Sequence, residues 1–200
     1  MPDDDRSSEP GAVALSIAAW LRRLDPGPLA TLRRLDPDGA APAFWRLAAR
    51  HDLLARQPAR WSPVVRALAI LTPKGAPEER PDLHDPGRPL GMALCDGGDP
   101  GWPGAGPPRP MLSERRLAQI LAARGTAREL ALVRALRALA ARRPSASGLR
   151  VPDVAWAFLN PADPGALAAP YYRRLDRAEG ASAKADREMS PNPESAPADA

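Results

Sequence analysis

Residues 112–143, LSERRLAQILAARGTARELALVRALRALAARR, decide how this chain is read. They hold two amphipathic helices that meet at Gly125. Ser113 stands where a helix is capped, with Glu114 at the positive end of the dipole. Leu112 and Leu117 occupy the N′ and N4 positions of a hydrophobic staple. Gly125 fits the C′ position that closes a helix. Thr126 and Glu129 form a T-x-x-E capping box that opens the second helix. At about 100° per residue, Leu132, Val133, Leu136, Leu139 and Ala140 share one side of that helix, and Arg134, Arg137 and Arg142 fall largely on the other. In the first helix Leu117, Ile120 and Leu121 oppose Arg115, Arg116 and Gln119. Cations in a first turn are disfavoured by the dipole unless an anion sits there, held by the guanidiniums and the free N–H groups together. The arginine face is therefore either a solvated surface or an anion contact.

The surrounding composition points the same way for the fold. The chain has 200 residues, 44% of them hydrophobic, enough for one or two small domains with a core. Alanine and leucine dominate over β-branched residues, which favours helix. Apolar stripes and proline stops mark a helix over 13–24, a short one over 28–35, one from Pro42 through Leu54, and one over 61–71. In the last, Ser62 caps and Pro63 takes the first position. Trp20, Trp45 and Trp61 are expected as core anchors, each lying among apolar residues at helical spacing. The hexapeptide LRRLDP occurs at 21–26 and 32–37, the same helix stop used twice.

Residues 73–110 change character, with 18 Pro or Gly among 38. Only 90–94 within them read as a helical turn. Residues 96–110, DGGDPGWPGAGPPRP, are a loop in which Trp102 either docks on a neighbouring surface or stands in solvent. Beyond the central pair, 151–159 and 164–177 are helical, the latter with a break at Pro170. The expected fold is all-α. Helical segments over 12–95 and 111–177 are joined by the Pro/Gly-rich loop 96–110. Residues 1–11 and the acidic tail 178–200 are expected to be disordered.

The net charge of +4 conceals an asymmetry. Residues 12–177 carry 25 basic and 15 acidic side chains, and within them 109–177 hold 13 Arg against five acids. Only Lys74 and Lys184 are lysines. Such a surplus on helices is the footprint of a polyanion binder. Aromatics make up only 4% of the chain and fall mostly at core positions, so contact with the phosphate backbone is expected rather than base stacking. A helix-turn-helix reader built on 112–143 is a weaker alternative, because the second helix offers Arg and Ala with no Asn, Gln or Ser for base edges. A helical protein–protein adaptor with a solvated arginine face is another.

No active site can be assembled. His51 and His84 are the only histidines, no cluster has metal-ligand spacing, and no phosphate-cradling glycine loop opens a helix. No catalytic residue, cofactor or metal is therefore expected. The lone Cys95 fits a reducing compartment, the acidic N-terminus is no signal peptide, and no run of 18 apolar residues exists. A cytoplasmic location without membrane contact follows as the expectation.

Four motifs in order also resemble a known family. They are F-W-x-L at 44–47, W-x-x-V with A-L-A within 61–69, P-L-G-x-A-L at 89–94, and S-E-R-R-L-x-x-I-L-x-A at 113–123. Over roughly 13–177 they resemble the CasB-type small subunit of the type I-E CRISPR surveillance complex, Cascade. The resemblance implies a non-catalytic, all-helical subunit of two packed helical bundles, acting in antiviral defence. It would assemble with a second copy of itself and with the backbone and large subunits. Its basic face would hold guide RNA, target DNA and the displaced strand without sequence specificity. By motif, Arg115 and Arg116 are the implied contacts. Arg124, Arg134, Arg137 and Arg142 follow by helical face, and Arg173 and Arg174 at the C-terminal end.

Overall fold

The computed structural model of the chain describes residues 9–36, 41–104, 106–144 and 147–189. Among these the fold is all-α: α1 (Glu9–Arg22), α2 (Pro26–Arg33), α3 (Pro42–Arg50), α4 (Pro58–Leu71), α5 (Leu90–Asp96), α6 (Glu114–Ala122), α7 (Gly125–Arg142), α8 (Val151–Leu159) and α9 (Gly165–Met189). A 3-10 turn at Pro77–Glu79 and one isolated bridge between His84 and Leu149 are the remaining regular features.

Packing does not follow the order of the chain. α8, from the C-terminal half, lies mainly on α1 and α4, whereas α5, from the N-terminal half, makes the most extensive helix–helix contact of the molecule with α9. One apolar core runs through both halves. The reason lies in the stripes. Leu167, Tyr171, Leu175 and Ala178 recur at helical spacing along α9, and all four are buried. They meet a short helix whose Gly91 lets the two backbones touch. A Cβ at Gly91 would stand 2.1 Å from the Leu167 carbonyl oxygen, so no larger residue fits without moving a helix. The Tyr171 hydroxyl donates to the Leu112 carbonyl at 2.5 Å and ties α9 to the start of the central pair.

The Pro/Gly-rich segment leaves α5 and returns to it. Met111 N–H donates to the Cys95 carbonyl at 2.8 Å and Leu112 N–H to the Leu94 carbonyl at 3.1 Å, so residues 96–110 form a closed excursion. Trp102 docks rather than standing free. Its Nε1–H donates to the Arg109 carbonyl, and the Arg174 guanidinium lies 5.2 Å from its ring centroid.

Several boundaries differ from the sequence reading. Glu9 and Pro10 already belong to α1, and Gly11 is buried, so order begins before residue 12. α9 continues past Arg177 to Met189, and Pro170 lies inside it without a break. The remainder of the expected disordered ends, 1–8 and 190–200, lies outside the described residues. α4 starts at Pro58, which puts Ser62 and Pro63 inside it. Ser62 does not cap but donates to the Asp36 carbonyl at 3.1 Å. Trp61 is an anchor, and Trp20 is half-buried with its ring edge on His51. Trp45 is not an anchor: it is 45% exposed, because the buried stripe of α3 is Phe44, Leu47 and Ala48 and the next position is rotated about 100° away.

Candidate nucleic-acid interface

The central pair forms as two helices, α6 and α7, with the expected inner faces. Leu117, Ile120, Leu132, Val133, Leu136 and Leu139 are all buried, each contributing about 1.5–3 kcal/mol of burial. Its joint is built differently from the expectation. Neither Ser113 nor a Thr126–Glu129 box caps by side chain: α7 begins at Gly125 itself, preceded by Arg124. Gly125 has φ +52, a left-handed conformation that lets the chain reverse within two residues.

Arginines close this joint. Arg124 Nη1 donates to the carbonyls of Leu121, Ala122 and Ala123 at 2.9–3.0 Å, and buried Arg128 donates to Ile120 at 3.0 Å. The end of α6 thus receives two guanidiniums where a glycine-type cap is missing. The same device recurs. Arg80, only 1% exposed, donates to the carbonyls of Leu21, Arg22 and Leu24 at the end of α1 and to Gly75. Arg33 donates to Ala69, Thr72 and Pro73, and Arg143 to Leu71, so the end of α4 is held from two sides. These cations complement the negative ends of helix dipoles. Burial holds the Arg33, Arg128 and Arg143 guanidiniums below their ordinary pKa. A neighbouring arginine adds to this in each case: Arg80, Arg124 and Arg88 respectively.

Arg174 is likewise committed within the fold, in contrast to its expected role at an interface. Its Nε pairs with Asp96 Oδ2 at 2.9 Å, and its Nη2 donates to the Trp102 carbonyl at 2.6 Å. Asp96 also accepts from Arg88 at 2.8 Å and from Gly98 N–H at 2.9 Å, with its side chain 1% exposed. This carboxylate balances two arginines in the interior. Arg124 remains exposed but gives one nitrogen to the α6 cap.

The other expected residues stand outward. Arg115, Arg116, Arg134, Arg137, Arg142 and Arg173 are exposed, and among the described residues none makes a side-chain hydrogen bond or ion pair. Arg115 and Arg116 lie on α6, Arg134, Arg137 and Arg142 on α7, and Arg173 on α9.

Sequence reasoning missed a groove of about 710 Å³ between the ends of α2 and α4 and the outer side of α7. Among the described residues, five basic side chains line it, Arg33, Arg34, Lys74, Arg137 and Arg143, and no carboxylate does. Arg34 and Lys74 are exposed. Arg66, on α4, is near enough to Arg137 to disfavour its charge. Its pKa is lowered first by burial and then by Arg137, with Asp36 opposing, and its Nε is buried without a partner. The LRRLDP repeat held the signal for Arg33 and Arg34, but only as a helix stop. Its second copy puts two arginines at the end of α2, one turned to the α4 carbonyls and one to solvent.

Among the described residues, no group of three His, Cys, Asp or Glu could hold a metal ion. Burial pushes the Cys95 thiol up to about 12, with Asp96 adding to the effect, so it stays protonated and unreactive. His51 Nδ1 lies 3.1 Å from Ser16 Oγ, and His84 Nδ1 accepts from Val151 N–H. Among the described residues, no helix is long and apolar enough to cross a membrane. No family model, curated protein or solved structure matches the chain.

Proposed function

We propose that this chain is a non-catalytic, cytoplasmic subunit that binds the nucleic-acid backbone without reading sequence. Its proposed setting is that of the CasB-type small subunit of a type I-E CRISPR surveillance complex. The observation that carries the reading is the set of six exposed arginines on α6, α7 and α9 that find no partner among the described residues. A folded surface that keeps many like charges unpaired gains free energy from a polyanion through counterion release, whatever its sequence. In such a complex the ligands are guide RNA and target DNA. The neighbours are the backbone and large subunits and a second copy of this chain.

The isolated chain should bind single-stranded RNA or DNA weakly, with log affinity falling against log salt by about 0.7–0.9 per phosphate neutralised. Reversal of Arg115 and Arg116 to Glu should lower that slope by about 1–2 and leave the fold intact. An unchanged slope in this variant rules out the α6 face as the contact.

An adaptor reading has one specific observation in its favour. Leu54 and Leu130 are 54% and 42% exposed, and with Trp45 they give the surface apolar points of the kind that meet another protein. A subunit held within a larger assembly needs such points too, so this reading adds protein neighbours to the first without replacing it.

A further inference from the structure

We infer that the groove between α2, α4 and α7 seats consecutive phosphates of one nucleic-acid strand, gripped by Arg34, Lys74 and Arg137. The inference rests on the backbone-binding reading above and gives it a place that the 112–143 stretch alone does not contain.

The charges at this groove are of two kinds. Arg33 and Arg143 are tied by hydrogen bonds to the carbonyls that end α4. They form a fixed cationic floor, and their orientation is already set before a ligand arrives. Arg34, Lys74 and Arg137 are exposed arms at its rim. Among the described residues these arms have no side-chain partner, so a ligand displaces nothing to reach them.

The lining also selects the ligand class. With no carboxylate among its described lining residues, the groove gathers five positive charges. Such a concave, single-sign site concentrates anions. Burial disfavours the charges of Arg33 and Arg143, and on α4 beside the groove burial and then Arg137 disfavour that of Arg66, with Asp36 opposing; an anion at the groove offsets this. No aromatic residue is among the described residues that line the groove, which favours the sugar–phosphate chain over the bases as the part held. Arginine forks match phosphate oxygens in pairs. At about 710 Å³ the groove has room for a short run of sugar–phosphate chain. Arg134 stands one helical turn from Arg137 on α7, so a strand leaving the groove meets the exposed face described above.

The test is a salt titration of the full chain with a fluorescent oligothymidylate of about 20 nucleotides, long enough to span several phosphate contacts. Poly-glutamate is titrated in parallel. The triple variant Arg34→Glu, Lys74→Glu, Arg137→Glu is compared with Arg115→Glu, Arg116→Glu and with the unaltered chain. The triple variant should lower the salt slope by about 2 and the affinity about tenfold at low salt. Its helical circular dichroism and thermal midpoint should stay unchanged. If it melts early, the single changes Arg34→Gln and Lys74→Gln serve instead, each with an expected slope loss of about 0.7–0.9. An unaltered chain that binds the oligonucleotide, with an unchanged slope in the folded variant, overturns the groove and leaves the backbone-binding reading standing. Failure of the unaltered chain to bind the oligonucleotide at all overturns both. Tighter binding of poly-glutamate than of the oligonucleotide also overturns the groove's assignment, in favour of an acidic protein.

Discussion

The end of α1 and the outer face of α6 and α7 are both rich in arginine, and they use it in opposite ways. At the end of α1, Arg80 is buried and its donors are taken up by carbonyls of Leu21, Arg22, Leu24 and Gly75. On α6 and α7, Arg115, Arg116, Arg134, Arg137 and Arg142 are exposed and have no described partner. The first group is part of the fold's hydrogen-bond accounting, since buried carbonyls must be satisfied. The second is charge left over for something else. Arginine content by itself therefore overstates the surface available to a polyanion.

This contrast can be broken most sharply at Arg80. Arg80→Met leaves several helix-end carbonyls without donors and should cost about 3 kcal/mol or more of stability, read by urea unfolding. If it unfolds no more easily than Arg115→Met, the division between structural and free arginines fails.

Asp96 tests the same division from the acidic side. Asp96→Asn removes the charge that balances Arg88 and Arg174 and should cost about 2–3 kcal/mol. It should also loosen the 96–110 loop, because Arg174 holds Trp102 from the same site. Trp102 fluorescence should shift toward that of an exposed indole.

The paired reversal of Arg115 and Arg116 is the opposite case. Unfolding free energy should move by no more than about 0.5 kcal/mol while nucleic-acid binding changes. A large loss of stability would place these two in the structural group.

The smallest effect is expected at His51, where burial, reinforced by Arg50, holds the imidazole below its ordinary pKa. The unfolded chain then binds the proton more readily than the folded one. Stability from this group is present above an ordinary histidine pKa of about 6.5 and is lost as pH falls below it. The thermal midpoint should fall less between about pH 7.5 and 5 in His51→Gln than in the unaltered chain.

The helices were legible because their signals are local. The 151–159 helix, the start of α3 at Pro42 and the inner faces of α6 and α7 follow from period and proline alone. Trp45 was not, because an aromatic beside an apolar stripe reads like a member of it, and its exposure depends on which elements cover α3. Of the expected site residues, Arg115, Arg116, Arg134, Arg137 and Arg142 stand outward as their helical positions imply, and Arg173 is exposed as well. Arg174 does not, since its partner Asp96 lies 78 positions away.

The sequence by itself determined an all-α chain, its apolar stripes and an excess of positive charge after residue 12. Only the tertiary structure decided which arginines carry that charge to the surface. It also brought Arg34 and Lys74 beside Arg137 in a groove with no carboxylate among its described lining residues. The physical reason is range. Helix periodicity and capping act within a few residues, whereas a guanidinium is satisfied by any carbonyl or carboxylate that packing brings within hydrogen-bond reach, at any distance along the chain.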